Sequence, residues 1–199
     1  LIAKIRKNHI KILSIQNGGS SVTTFDFNGC LAFVLKWEGG YVNNPADPGG
    51  ATNKGITQNT YNTWRTQQNQ ATQDVKLITD AEVQQIYQKN YWTPSGADRI
   101  PARLNLVEFD TAVNMGVGRA VQFLQQQVGT TVDGGFGPIT QKAANSAPLE
   151  ATITQYCDAR EAYYRNIVAK NPSEQVFLSG WLNRLNALRA AAGVQTPSV

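Results

Sequence analysis

The sequence predicts a mainly helical fold with a small irregular or two-stranded β lobe near residues 41–57. Apolar residues recur at three- and four-residue spacings along most of the chain, the period of an amphipathic helix. Helix start and stop signals bracket those stretches. No alternating run long enough for a sheet strand occurs, and the one segment dense in Asn, Pro, Gly and Asp favours turns and at most a short hairpin.

From Leu1 to Gln16 the residues Lys4, Arg6, Lys7 and Lys11 are scattered among apolar ones, so no clean signal-peptide hydrophobic region emerges. Asn17 to Thr24 (NGGSSVTT) has the composition of a flexible linker. Residues 1–24 are therefore expected to form a flexible N-terminal arm, with folded structure starting near Phe25. The stretch Phe27 to Gly39 carries Phe33, Val34 and Trp37 at helical spacing and is stopped by Gly39-Gly40, which places Glu38 in the last turn. Tyr41 to Thr57 forms the lobe of turns.

Thr57 can cap a helix with Tyr61 and Trp64, and the polar stretch Gln67 to Asp74 reads as an exposed connection. Thr79 and Glu82 have the spacing of a capping box ahead of Val83, Ile86 and Tyr87. Ala102 to Gly116 is apolar at Leu104, Leu106, Val107, Phe109, Ala112 and Val113, on more than one face, as in a central buried helix. A further helix carries Val121, Leu124 and Val128 before Gly129, and another is expected to start at Pro138. Two long amphipathic helices begin near Pro148 (Leu149, Ile153, Tyr156, Tyr163) and near Glu174 (Phe177, Trp181, Leu185, Leu188). No internal repeat is present.

The chain has 199 residues, 41% hydrophobic and 16% charged, enough to bury a sizeable core in one domain or two small ones. No apolar run approaches the roughly 20 residues of a membrane span. The net charge of +4 is modest, and no Lys/Arg run has the density of a nucleic-acid patch. Cys30 and Cys157 are far apart without metal-like spacing, and free buried thiols are favoured over a disulfide. The single histidine, His9, lies in the arm, which argues against zinc peptidases and against Ser-His or Cys-His hydrolases. Glycoside hydrolysis needs only carboxyl groups, and these are present.

Residues Glu38 to Thr57 read EGGYVNNPADPGGATNKGIT. This stretch resembles the signature of glycoside hydrolase family 108, the N-acetylmuramidases that include phage endolysins and the so-called secretion activators. Asn44 stands where members often carry Asp, and Lys54 where an aromatic residue is common. The resemblance implies a lysozyme-like helical fold and makes Glu38, which opens the motif, the catalytic acid. Local chemistry points to the same residue, because a carboxyl at the end of a helix, packed by Trp37 and Tyr41, has its charged form disfavoured.

The order Glu38, Asp47, Thr52 also resembles phage-type lysozymes, where the three line one cleft. By that resemblance Asp47 stabilises the cationic transition state or orients water, and Thr52 helps to hold the water. Asp47-Pro48-Gly49 has an equal claim as an Asx-type turn that shapes the hairpin. Glu108 and Asp110 are alternative second carboxyls, with a structural role on a buried helix the favoured view. FDTAVNMG (Phe109 to Gly116) resembles a second element of the family, in which Asn114 faces the cleft or is a buried hydrogen-bonded residue. Tyr41 and Asn53, from the first motif, join Tyr91, Asn114 and Trp181 as candidate substrate contacts, the aromatic ones by stacking on sugar rings.

LQQQVGTTVDGGFGPIT (Leu124 to Thr140) looks like the peptidoglycan-binding region of these proteins, and GWLNR (Gly180 to Arg184) resembles its closing motif. The chain is thus divided into the arm 1–24, a lysozyme-like catalytic region 25–119 and a helical peptidoglycan-binding-like region 120–199 packed on it. The resulting expectation is a monomeric lysozyme-type hydrolase of peptidoglycan glycan chains at the bacterial cell wall, periplasmic or extracellular, by an unassigned export route. No metal, organic cofactor, nucleic acid or membrane span is required. The rivals are a lytic transglycosylase and a non-catalytic wall-binding or secretion-assisting protein. For the hydrolase, inversion at the sugar is expected, with the Glu38 and Asp47 carboxyls roughly 6.5–9.5 Å apart.

Overall fold

A computed structural model describes residues 25–43 and 50–195. The expected arm, with His9, and the loop residue Asp47 lie outside the described residues. Eight α-helices and one two-stranded antiparallel sheet make up the described part, as the helical periodicity predicts.

Helix α1 (Phe27–Leu35) starts where the Asp26 carboxylate accepts the Gly29 N–H at 2.7 Å, and it buries Cys30, Leu31, Phe33 and Val34. It ends a turn sooner than the sequence predicts. Lys36 is the cap, and the N–H groups of Trp37 and Glu38 reach back only three residues, to the carbonyls of Val34 and Leu35. The helix has tightened into 3₁₀-type turns, a common way to satisfy terminal carbonyls. Glu38 therefore stands beyond α1 rather than in its last turn.

The lobe is a hairpin of β1 (Thr52–Asn53) and β2 (Ile56–Thr57), with Asn53 opposite Ile56. Lys54 and Gly55 connect them at φ of 47° and 75°, the two positive values of a type I′ turn. Val42 forms a bridge to Thr52 on the outer side. Thr57 caps α2 (Gln58–Gln67) by accepting the Thr60 N–H. The exposed connection after α2 leads to a 3₁₀ turn (Val75–Leu77), and the Asn53 amide donates to the Val75 carbonyl at 3.1 Å, tying hairpin to turn.

Helix α3 (Asp80–Tyr87) opens with the expected capping box of Thr79 and Glu82. It runs into a π-helical turn (Gln88–Trp92) that the sequence pattern did not reveal. The wider turn leaves Trp92 buried against Phe27 and Phe109 and sets Tyr91 half-buried beside Tyr87.

Helix α4 (Leu104–Met115) is the centre of the molecule, with every residue except Val113 buried. Gly116 separates it from α5 (Val117–Gln127), and Pro138 occupies the first position of α6 (Pro138–Ser146) as predicted. The long α7 (Leu149–Lys170) and α8 (Gln175–Ala191) are joined through the turn Pro172–Glu174 and pack on each other and on α4. One hydrophobic cluster runs from Cys30 to Val194 through all these elements. Both cysteines are free and buried, and burial pushes the Cys30 thiol up to about 12 and the Cys157 thiol up to about 11. Among the described residues no helix is long and apolar enough to cross a membrane.

Candidate active site

Glu38 is held where the end of α1, the hairpin turn, α3 and α8 meet. Gly55 at the hairpin turn comes so close that a Cβ there would lie 2.8 Å from Glu38 Oε2 and 2.5 Å from the Tyr87 hydroxyl. Glycine is thus required twice, for the positive φ and for the close approach. Tyr87 is buried and donates its hydroxyl to the Lys54 carbonyl at 2.8 Å, which locks the turn over the carboxyl. Burial raises the Tyr87 hydroxyl well above its usual range, and the charge of nearby Glu38 adds to this. Tyr91 is raised by the same two causes, so its phenol also lies within the field of Glu38.

From the other side Arg184 on α8 donates Nη1 to Glu38 Oε1 at 2.9 Å. The same guanidinium grips Asp110 Oδ1 on α4, with Nε at 2.9 Å and Nη2 at 2.8 Å. Asp110 Oδ2 receives Arg160 Nη1 of α7 at 2.6 Å, and Arg160 also donates to the Tyr164 hydroxyl and to Thr111. Tyr164 in turn donates to Asn114 Oδ1 at 2.8 Å. A chain of alternating charge therefore runs from the rim at Glu38 into the core. The guanidinium of Arg184, followed by that of Arg160, holds the fully buried Asp110 below the usual carboxylate range against desolvation.

The side chain of Glu38 is 16% exposed and those of Asp110 and Arg160 are 0% exposed. Only Glu38 of the linked carboxylates can meet a solute. Asp110 is a structural anchor, as the favoured sequence view had it, and so is Glu108. The latter is buried, accepts the Tyr156 hydroxyl at 2.8 Å, and is pushed up to about 8 by desolvation.

The other candidate residues fall into two groups. Thr52 is half-buried in β1, with its backbone bonded to Val42 in both directions at 2.8 Å. Tyr41 is exposed nearby, with Lys76 Nζ 5.6 Å from its ring centre. Tyr91 is half-buried on the π turn near Glu38. In contrast, Asn53, Asn114 and Trp181 are buried. The Asn53 amide holds the 3₁₀ turn, Asn114 ends the charge chain, and the Trp181 ring stacks on Tyr164 and Phe177.

Two residues that sequence reasoning passed over help to form the site. Tyr87 was read simply as core, and Arg184 only as part of GWLNR. The available signal for Arg184 was its position on the apolar face of its helix, three residues after Trp181 and four before Leu188. Among the described residues no three His, Cys, Asp or Glu side chains gather as a metal site would require.

Comparison with known proteins gives the family. Residues 31–116 match the family model described as Glycosyl hydrolase 108, and residues 119–186 match one described as Predicted Peptidoglycan domain. No curated protein matches the chain. Among solved structures, that of Brucella abortus SagA is similar, with 34% sequence identity and a TM-score of 0.69, covering 83% of this chain and 92% of that chain.

Proposed function

The chain belongs to the glycosyl hydrolase 108 family and is a glycosidase acting on peptidoglycan, and from that premise we propose that it is a lysozyme-type N-acetylmuramidase with Glu38 as the acid. The bond cleaved is the β-1,4 link between N-acetylmuramic acid and N-acetylglucosamine. The observation that carries this is the setting of Glu38: its side chain is partly open to solvent, yet its carboxyl is held by Arg184 at one oxygen and approached by the Gly55 backbone at the other.

In the reaction, Glu38 gives its proton to the glycosidic oxygen as the bond from that oxygen to the muramic C1 breaks. Positive charge grows on C1 and the ring oxygen, and water adds to C1. The proton released by the water goes to a base, for which Asp47 is the candidate, and solvent reprotonates Glu38. Asp110 and Glu108 do not compete for the base's role, because both are sealed in the core. Thr52, Tyr41 and Tyr91 are the candidate contacts nearest this scheme. Action on the wall places the protein in the periplasm or outside the cell, as endolysin or secretion activator.

Mass analysis of digested peptidoglycan tests the reading. Fragments ending in a reducing muramic acid are expected. Fragments lighter by one water, with an anhydro end, identify the transglycosylase instead, and undigested wall identifies a binding protein without turnover.

A further inference from the structure

We propose that Arg184, supplied by the C-terminal helices, is a positioning residue for the glycosidic step: it anchors Oε1 of Glu38 so that Oε2 is the oxygen turned toward the hairpin and the substrate. The segment matched to a peptidoglycan domain is then part of the catalytic unit itself. This rests on the reading of Glu38 as the acid.

Three observations lead here. First, Arg184 is not a side chain free to swing. Nε donates to Asp110 Oδ1, Nη2 lies in ion-pair contact with the same oxygen, and the side chain is 8% exposed, so Nη1 reaches Glu38 from a guanidinium held in place. Second, Asp110 is itself clamped from behind by Arg160, which Tyr164 and Thr111 hold in turn. Third, the buried groups carry more positive charge than negative. One cation, Arg160, already neutralises buried Asp110, so Arg184 would leave the buried trio with a surplus positive charge. That surplus is directed at Glu38, where it faces the negative charge left on the carboxyl once its proton has passed to the glycosidic oxygen.

Positioning of this kind acts on turnover more than on binding, since a reacting group displaced by about 1 Å can cost on the order of 100-fold in rate. The test uses the full chain with Arg184→Gln and Arg184→Lys, measuring kcat and KM on soluble glycan fragments and sedimentation with intact wall. Arg189→Gln is the control, because Arg189 lies on the same helix, is also buried, and pairs with Asp158 and Glu161 away from the site. Arg184→Gln should lower kcat roughly 100-fold with KM and wall sedimentation near wild type. Arg184→Lys, which keeps the charge without the fork, should recover part of that loss, while Arg189→Gln should lose stability and keep kcat.

Unchanged kcat in folded Arg184→Gln overturns the proposal, as does a loss confined to KM or to wall binding. If that variant does not fold, Arg184→Lys decides, with wild-type kcat overturning the proposal. Glu38→Gln in parallel separates the two levels. A dead Glu38→Gln beside an unaffected Arg184→Gln removes only the positioning role, whereas an active Glu38→Gln removes the acid assignment on which it rests.

Discussion

Glu108 offers a quantitative test of how the core is built. Its carboxyl is wholly buried on α4, with Tyr156 donating to one oxygen and no hydrogen-bond partner at the other. Desolvation raises it from an ordinary 4.5 to about 8, with the Tyr156 hydrogen bond opposing. A folded-state value above the unfolded one means that the native state holds the proton longer. The stabilisation is therefore complete below the unfolded value and is lost as pH rises through the folded one. Integrated over the shift, a loss on the order of 5 kcal/mol results, most of it between about pH 5 and pH 8. Glu108→Gln keeps the shape and cannot ionise, so the variant should be close to wild type near pH 5 and clearly more stable near pH 8. Urea denaturation of both proteins at the two pH values measures the difference directly. Parallel pH dependence in the two proteins would refute the assignment of a protonated carboxyl at the centre of the fold.

Asp110 should behave in the opposite sense. Its folded-state value is depressed, so its stabilisation is present above the ordinary aspartate range and is lost as pH falls through the folded value. Asp110→Asn, which leaves two guanidinium groups without their shared anion, should cost about 3–5 kcal/mol by denaturant titration, and a cost under 1 kcal/mol would contradict the charge chain. Gly55→Ala should destabilise by at least ~1 kcal/mol from the positive φ alone and should also depress turnover well below the melting temperature, because its Cβ meets Tyr87 and Glu38. Wild-type activity in that variant would show that the hairpin does not close on the acid. Asp47→Ala should slow wall cleavage, and NMR of the wild-type reaction should show α-configured product first. Initial β product would refute inversion, and an undiminished rate in Asp47→Ala would remove Asp47 from the mechanism.

Those features of the fold that depend on near neighbours were legible in the sequence. The Thr79–Glu82 capping box, the Thr57 cap, Pro138 at a helix start and the apolar faces of α7 and α8 all appear where local chemistry puts them. The end of α1 was misplaced because Gly39-Gly40 marks where a helix must have stopped, whereas the 3₁₀ tightening after Leu35 leaves no mark in residue type. The π turn at Gln88–Trp92 was hidden for a similar reason, since its residues are ordinary helix formers.

At the candidate site, Glu38 stood out in the sequence by its motif. Arg184 did not, because its partner is 146 positions away and an ion pair between distant segments has no local signature. The local account of Glu38 weighed only a helix end and two aromatic rings, so the guanidinium at 2.9 Å was outside it. That Trp181 and Asn53 lie buried was hidden for a related reason. An aromatic or amide side chain at helical or turn spacing suits a core as readily as a cleft, and tertiary packing decides between them.

The most direct test of the account is the initial rate at which wild type and Glu38→Gln clear a peptidoglycan suspension, with circular dichroism and wall sedimentation followed on the same samples. The amide keeps the volume of the side chain and removes the transferable proton. The account predicts a rate lower by on the order of 100-fold or more in a variant that remains folded and bound to the wall. Near wild-type clearing by Glu38→Gln would contradict it.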